Sequence, residues 1–311
     1  MARWLKKLWI VFFNMQIKKL ITHNGTFHAD DVFATAALFL LLEKRGEKYE
    51  VTRTRDKDKI SSGDFVYDVG IIYDEAKDRF DHHQKGGAGA RPNGIEYSSL
   101  GLIWKKYGEE LSGSKEAAFF VENNLIAPID ASDNGINLVE KKHQIYPYTI
   151  EMIINSLRPT WKEDVEVVDE MFFKSVAMMR PILEREITHA RAEVEAKNIL
   201  MDVYNRADNK KILILEYDFA HNRIFDDLEE TYFIVYKKRS DNDWGIRAVR
   251  KGFKTFENKK DFPKAWGGLV NEDLQKVTGV GDALFCHRAL FYVVAGSREG
   301  AIKLAELALE D

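Results

Sequence analysis

The sequence predicts an α/β protein whose first and larger domain is built on a parallel sheet and is joined by a long helix to a smaller C-terminal α/β domain. Three observations carry this. Short apolar, β-branched runs alternate with helical periodicity over the first 130 or so residues, the pattern of βαβ units. A stretch rich in Glu, Ala, Lys, Arg and Met then runs from about Glu163 to Arg206 with only Pro181 to interrupt it. Beyond it come three strand-like runs and a closing amphipathic helix.

In order, residues 17–22 read as a strand, 30–44 as a helix and 49–54 and 65–69 as strands, with helical patterns near 98–111 and 115–126. After the long helix at 163–206, the strand-like runs are KILILEYD, ETYFIVYKK and DWGIRAVRK, and REGAIKLAELALE is the last helix. The expected domains are therefore 16–190 and 208–311, bridged by that helix.

A chain of 311 residues, 45% hydrophobic and 31% charged, is long enough to bury substantial cores. Its single cysteine, Cys286, excludes an internal disulfide and argues against a thiolate zinc site, which suits a reducing compartment. A formal charge of −4 gives no general reason to expect nucleic acid binding, yet Thr231 to Lys264 holds ten Lys or Arg against four Asp or Glu. This predicts a basic face on an acidic body. The opening MARWLKKLWIVFFNM is apolar with basic flanks, but its apolar core is too short to span a bilayer and no cleavage pattern follows. We expect a cytoplasmic protein, not held in a membrane, whose first fourteen residues are dispensable, with Met15 as a possible start.

Four of the eight histidines fall in two short clusters, THNGTFHADD and FDHHQ, with the isolated Asp68 of FVYDVG between them. Imidazole nitrogens and carboxylate oxygens are the usual donors to divalent ions of intermediate hardness. His23 stands at the end of the first predicted strand, where open α/β sheets gather ligands, and the following turn brings His28 and Asp30 to the mouth of a helix. Asp31, near that helix's N-terminus, reads as a cap or a support for the donors. Asp68 is placed to bridge two ions, whose charge offsets the cost of burying it. In FDHHQ, neighbours on an extended chain point opposite ways, so one of His82 and His83 is expected on metal and the other toward substrate. In PIDASDNG, Asp130 or Asp133 is placed to complete a second ion's shell, with Asn134 and Gly135 turning the chain. His143, His189 and His221 stand alone and are read as having no chemical role.

Together HNGTFHADD, DVG, FDHHQ, IDASDNG, LRPTW, FCHRALF and SREGAIKLAELAL resemble the melanocyte proliferating gene family of metal-dependent hydrolases, within the DHH phosphoesterase superfamily. The motifs run from His23 to the last helix. The resemblance implies a DHH-type first domain with two divalent ions, manganese foremost and magnesium or zinc as alternatives. His23, His28 and Asp68 would hold one ion, and Asp30, Asp68, His82 and Asp130 the other. The superfamily more often has an Asp in place of His28, a change that lowers the negative charge and favours manganese over magnesium. Asp68, Asp81 and His83 form the implied catalytic group, with His83 facing substrate.

It also implies that the C-terminal domain closes over the site, presenting Gly279, Gly281 and His287 of GVGDALFCH and Arg247 of WGIRAV to phosphate. A hydroxide shared between the ions would attack phosphorus in line while the metals and His83 neutralise developing charge. The expected reaction is 3′-to-5′ exonucleolytic cleavage of single-stranded RNA or oligonucleotides. Trp244, Phe253, Phe256 and Phe262, interleaved with Lys237 to Lys264, suit either base stacking or an amphipathic sheet with a cationic face. The alternatives are a small-molecule phosphohydrolase, acting on nucleotides or a pyrophosphate-type substrate, and a non-catalytic metal-stabilised binding protein.

Overall fold

The computed structural model describes residues 16–140, 143–164, 166–219, 225, 228–239, 241–252 and 255–311. The expectations for residues 1–14, His221 and Phe253 lie outside the described residues. The chain divides into two compact units, one ending at Arg191 and the other running from Ala192 to Asp311.

The first unit is organised by β1 (Lys18–Thr22), which is flanked by parallel β2 (Tyr49–Arg53) and parallel β3 (Phe65–Tyr67). The sheet order is β2-β1-β3-β5-β4, with β5 (Arg79–Phe80) parallel to β3 and β4 (Tyr73–Asp74) antiparallel at the edge. Parallel strands need a crossover between them. α1 (Ala29–Lys44) supplies it between β1 and β2. Every residue from Ala29 to Leu38 is buried, as a helix apolar on all sides must be. α2 (Lys57–Ser61) starts at Asp56, whose side chain accepts from the amides of Asp58 and Lys59. α3 (Ser99–Ser112) packs on α1 and buries Leu100, Ile103 and Trp104.

α4 (Lys115–Val121) passes through a wide π turn (Glu122–Ile126) into α5 (Ala127–Asp133). α5 is helical to Asp133, and the chain turns at Asn134 and Gly135, the two residues expected to turn it. Pro128 falls in the first turn of α5, where a missing amide costs little. α6 (Ile150–Ser156) begins at Thr149, which caps the Met152 amide at 3.3 Å. α7 (Val167–Arg206) continues through Pro181, and the division between the units falls within it.

The second unit is a five-stranded sheet of order β6-β7-β8-β10-β9. Its strands are β6 (Ile212–Leu215), β7 (Phe233–Lys237), β8 (Trp244–Ala248), β9 (Ala283–Cys286) and β10 (Tyr292–Ala295), parallel only between β6 and β7. β9 and β10, four residues each, were too short to register in the sequence pattern. α8 (Asn271–Thr278) and α9 (Arg298–Glu310) share a core with Phe233, Val235, Ile246 and Val293. Trp244 and Phe262 belong to that core, with Phe262 4.7 Å from the Phe233 ring, so neither is open to stack on a base. Of the three described aromatics in the basic stretch, Phe256 alone is exposed, at 89%.

Leu38 has no exposed surface and lies in the best-covered part of α1. Leu38→Ala should lower stability by about 2–5 kcal/mol, the range for opening a cavity at a buried leucine. Chemical denaturation followed by circular dichroism measures it.

Candidate metal centre

Three strands deliver the donors. β1 ends at Thr22 and places His23 immediately beyond it; β3 ends at Tyr67 and is followed by Asp68; β5 ends at Phe80 and is followed by Asp81, His82 and His83. Because β1, β3 and β5 are parallel, these residues gather at one edge of the sheet. The loop from His23 to α1 is held from β2. Arg53 donates to the Gly25 carbonyl at 2.7 Å and Arg55 bonds the Asn24 carbonyl.

Asp68 is the centre of the arrangement. One oxygen lies 3.0 Å from His23 Nε2, and the other lies 3.5 Å from both His82 Nε2 and His83 Nδ1. Its backbone is left-handed, with φ of 55°, a conformation that Asp tolerates better than most residues but that still carries strain. Gly70 and Ile71, at φ of 100° and 58°, complete the sharp turn. The Asp68 amide donates to Phe80 at 3.3 Å, and Ser99 Oγ reaches its carboxylate at 3.5 Å.

Donor atoms collect in three overlapping sets: His23, His28 and Asp68; Asp68, His82 and His83; and His28, Asp30 and Asp133. Within each set the ligand atoms lie within 4.8 Å of one another. Asp30 has no exposed surface, and neither of its oxygens meets a hydrogen-bond donor among the described residues. A buried carboxylate without donors is costly, and a divalent cation is the group that relieves it. The residues therefore fit a divalent-metal site.

The electrostatics agree. Burial pushes the carboxyls of Asp30, Asp31 and Asp133 up, with neighbouring carboxylates, Asp68 among them, adding to the rise. For His23, burial alone would lower the imidazole, but Asp31 and Asp68 outweigh it and raise it to about 10. Asp68 is buried too, yet His23 and His82 hold its carboxyl below the usual range. Excess negative charge is thus the dominant property of the cluster.

The adjacent histidines do not point opposite ways. Their ring centroids are 4.2 Å apart and both reach Asp68, on the segment that follows the end of β5 at Phe80. Exposure separates them instead: the His82 side chain is 8% exposed and that of His83 58%. Asp81 does not join the donor sets. Its carboxylate accepts from the amides of Ile71 at 2.6 Å and His83 at 3.0 Å, and meets His83 Nδ1 at 2.8 Å, which leaves His83 Nε2 directed away from it.

Asp130, which the family resemblance implied as a ligand, also lies outside the donor sets. It is fully buried, with Ser98 Oγ at 2.5 Å and the Gly101 amide at 3.2 Å on one oxygen and Arg91 at 2.5 Å on the other. A side chain at Gly101 would run into that carboxylate. The acid that reaches the cluster from α5 is Asp133, one helical turn on, 3.3 Å from His82. The sequence reading had kept Asp133 open beside Asp130. Asp31, expected as a cap or a support for the donors, accepts from the His28 amide at 2.8 Å and lies 3.2 Å from His23, while Ser99 near Asp68 is marked by no motif.

A family profile described as Uncharacterised protein family (UPF0160), the MYG1 exonuclease family, matches residues 19–309. The chain belongs to this family. The human MYG1 exonuclease is 28% identical over 93% of this chain and 85% of its own length. MYG1 proteins of Schizosaccharomyces pombe and Chlamydia muridarum are each 29% identical, covering 94% and 95% of this chain and 97% and 98% of their own. A crystal structure of RecJ from Thermus thermophilus with Mg2+ aligns to 94% of this chain and 50% of its own at 12% identity, with a TM-score of 0.26, too low to establish a common fold. As a MYG1 family member the chain is a hydrolase of the exonuclease type. No helix among the described residues is long and apolar enough to cross a membrane.

The remaining expected residues of this MYG1 family member lie in the second unit. Arg247 donates to the Tyr236 hydroxyl at 3.3 Å and lies over its ring. Gly279, at φ of 72°, ends α8, and its amide bonds the Gln275 carbonyl at 2.8 Å, so that amide is committed to the helix cap rather than open to phosphate. Gly281 is exposed two residues on. His287 packs 4.4 Å from the Phe291 ring and accepts from the Ala289 amide at 3.1 Å. His143 and His189 are exposed and outside the donor sets.

Asp133→Asn should weaken manganese binding tenfold or more, in the range of about 10–100-fold seen on loss of groups around a metal. Asp130→Asn should leave manganese binding close to wild type. Isothermal titration of both variants with Mn2+ decides between the two aspartates.

Proposed function

We propose that the protein is a two-metal phosphodiesterase that cleaves single-stranded RNA or oligonucleotides from the 3′ end. The observation that carries the reading is Asp68, one carboxylate shared by two donor sets that also draw on His23, His28, His82 and His83. An isolated structural ion needs no shared carboxylate, whereas two neighbouring ions on a phosphodiester do. The printed name of the human relative, MYG1 exonuclease, points to nucleic acid as the substrate.

In this reading His23, His28 and Asp68 hold one divalent ion, and Asp68, His82, Asp30 and Asp133 hold the second, with manganese the preferred metal because imidazole is prominent in the set. When bound, the ions supply Lewis acidity at the phosphoryl oxygens and a nucleophile from water. The protein's own groups do the rest. His83, with Nδ1 fixed by Asp81, presents Nε2 to the substrate and holds a proton there against the charge that builds on phosphorus. Asp81 positions it. The working compartment in this reading is the cytoplasm.

Asp68→Ala should abolish manganese-dependent cleavage, a loss of at least about a thousandfold, since it removes a donor from both sets at once. Single-stranded RNA labelled at the 3′ or the 5′ end reads the rate and, by which label is released first, the polarity. Chelation by EDTA should stop cleavage and added Mn2+ restore it. A folded, manganese-loaded protein that leaves RNA intact but hydrolyses a small phosphoester would move the assignment to a small-molecule phosphohydrolase.

A further inference from the structure

Buried arginines in the first unit are paired. Arg53 places a nitrogen 2.5 Å from Asp169, and Arg91 lies 2.5 Å from both Glu122 and Asp130. Arg158 differs. Its Nε and Nη2 are buried and neither has a hydrogen-bond partner among the described residues. It follows α6, which packs on α1, the helix that carries Asp30 and Asp31. Burial pulls its guanidinium down, and Asp31 and Glu151 are the two acids close enough to oppose this. Both already have donors: Asp31 accepts from the His28 amide at 2.8 Å and lies 3.2 Å from His23, while Glu151 accepts from Ser132 Oγ.

Arg158 is half-buried, and guanidinium nitrogens buried without acceptors are costly and are retained where something anionic arrives to meet them. Resting on the two-metal reading above, we propose that Arg158 is a phosphate-gripping residue of the active site, its unpartnered edge binding the phosphoryl oxygens of the scissile phosphodiester. The charges require a group of this kind. Asp30, Asp31, Asp68 and Asp133 supply four negative charges, which two divalent ions balance. The phosphodiester then adds one negative charge, and attack on it adds another. Arg158 supplies a compensating cation on the α1 side of the cluster, where the donor sets consist of carboxylates and imidazoles. A planar fork with two free nitrogens matches two oxygens of one phosphoryl group, which a lysine cannot do. Arg158 transfers no proton and forms no bond.

The test is calorimetric binding of inorganic phosphate to the manganese-loaded full chain, with Arg158→Gln and Arg158→Lys beside wild type, and Mn2+ binding and thermal melting measured on each. Expected is phosphate binding weakened tenfold or more in Arg158→Gln and by less in Arg158→Lys, with Mn2+ affinity unchanged. Where Arg158→Gln does not fold, Arg158→Lys carries the comparison. Equal phosphate affinity in the variant, no phosphate binding by wild type, or a parallel loss of Mn2+ overturns the proposal. Arg158-dependent phosphate binding in a protein that cleaves no phosphodiester would leave Arg158 standing and remove the phosphodiesterase reading. RNA cleavage at wild-type rate by Arg158→Gln, with phosphate binding intact, would do the reverse.

Discussion

The first unit is built around negative charge that it cannot dissipate by itself. Asp30, Asp31 and Asp68 are buried, Asp133 is largely so, and Asp30 has no donor on either oxygen. Carboxylates at this density repel and lose hydration together. Only imidazoles and cations make the arrangement tolerable, which is why His23, His28, His82 and His83 surround it. Asp68 carries the greatest constraint, in a left-handed backbone conformation immediately after a buried strand.

Much of the surrounding structure serves to hold these groups in place. Arg53 and Arg55 fix the loop that follows His23 by bonding its carbonyls from the neighbouring strand. Asp81 gathers two backbone amides and the His83 ring into one carboxylate. Asp130 ties α5 to α3 and Arg91 through Ser98 and Gly101, and so sets the helix whose last residue, Asp133, enters the cluster. The two aspartates of one short helix therefore have different tasks. One anchors the helix and the other faces the donors.

The sequence was legible where chemistry and pattern coincide. His23, His28 and Asp68 stand out because few folds need such residues at strand ends, and the structure draws them within reach of one another. The helix at 29–44 and the long helix to Arg206 follow their periodicity closely. Legibility failed where a residue's partner is distant in sequence. Asp130 and Asp133 lie one helical turn apart on α5, and which of them is held by an arginine depends on Arg91, some forty residues earlier. Trp244 and Phe262 looked available for stacking, but alternation along a strand does not say which face another helix will cover. His82 and His83 share a side because the strand ends at Phe80, a boundary too short for any pattern to mark.

The sequence by itself therefore determined the α/β class, the donor inventory and the family, since these follow from residue types, local periodicity and motif spacing. Tertiary structure alone decided which donors converge, which carboxylate is taken by an arginine, which aromatics are core and which guanidinium nitrogens lack an acceptor among the described residues. The physical reason is that burial and pairing are properties of surfaces brought together from distant parts of the chain. Asp30 becomes an orphan only when α1 is packed, and Arg158 only when its neighbours' acids have already been taken.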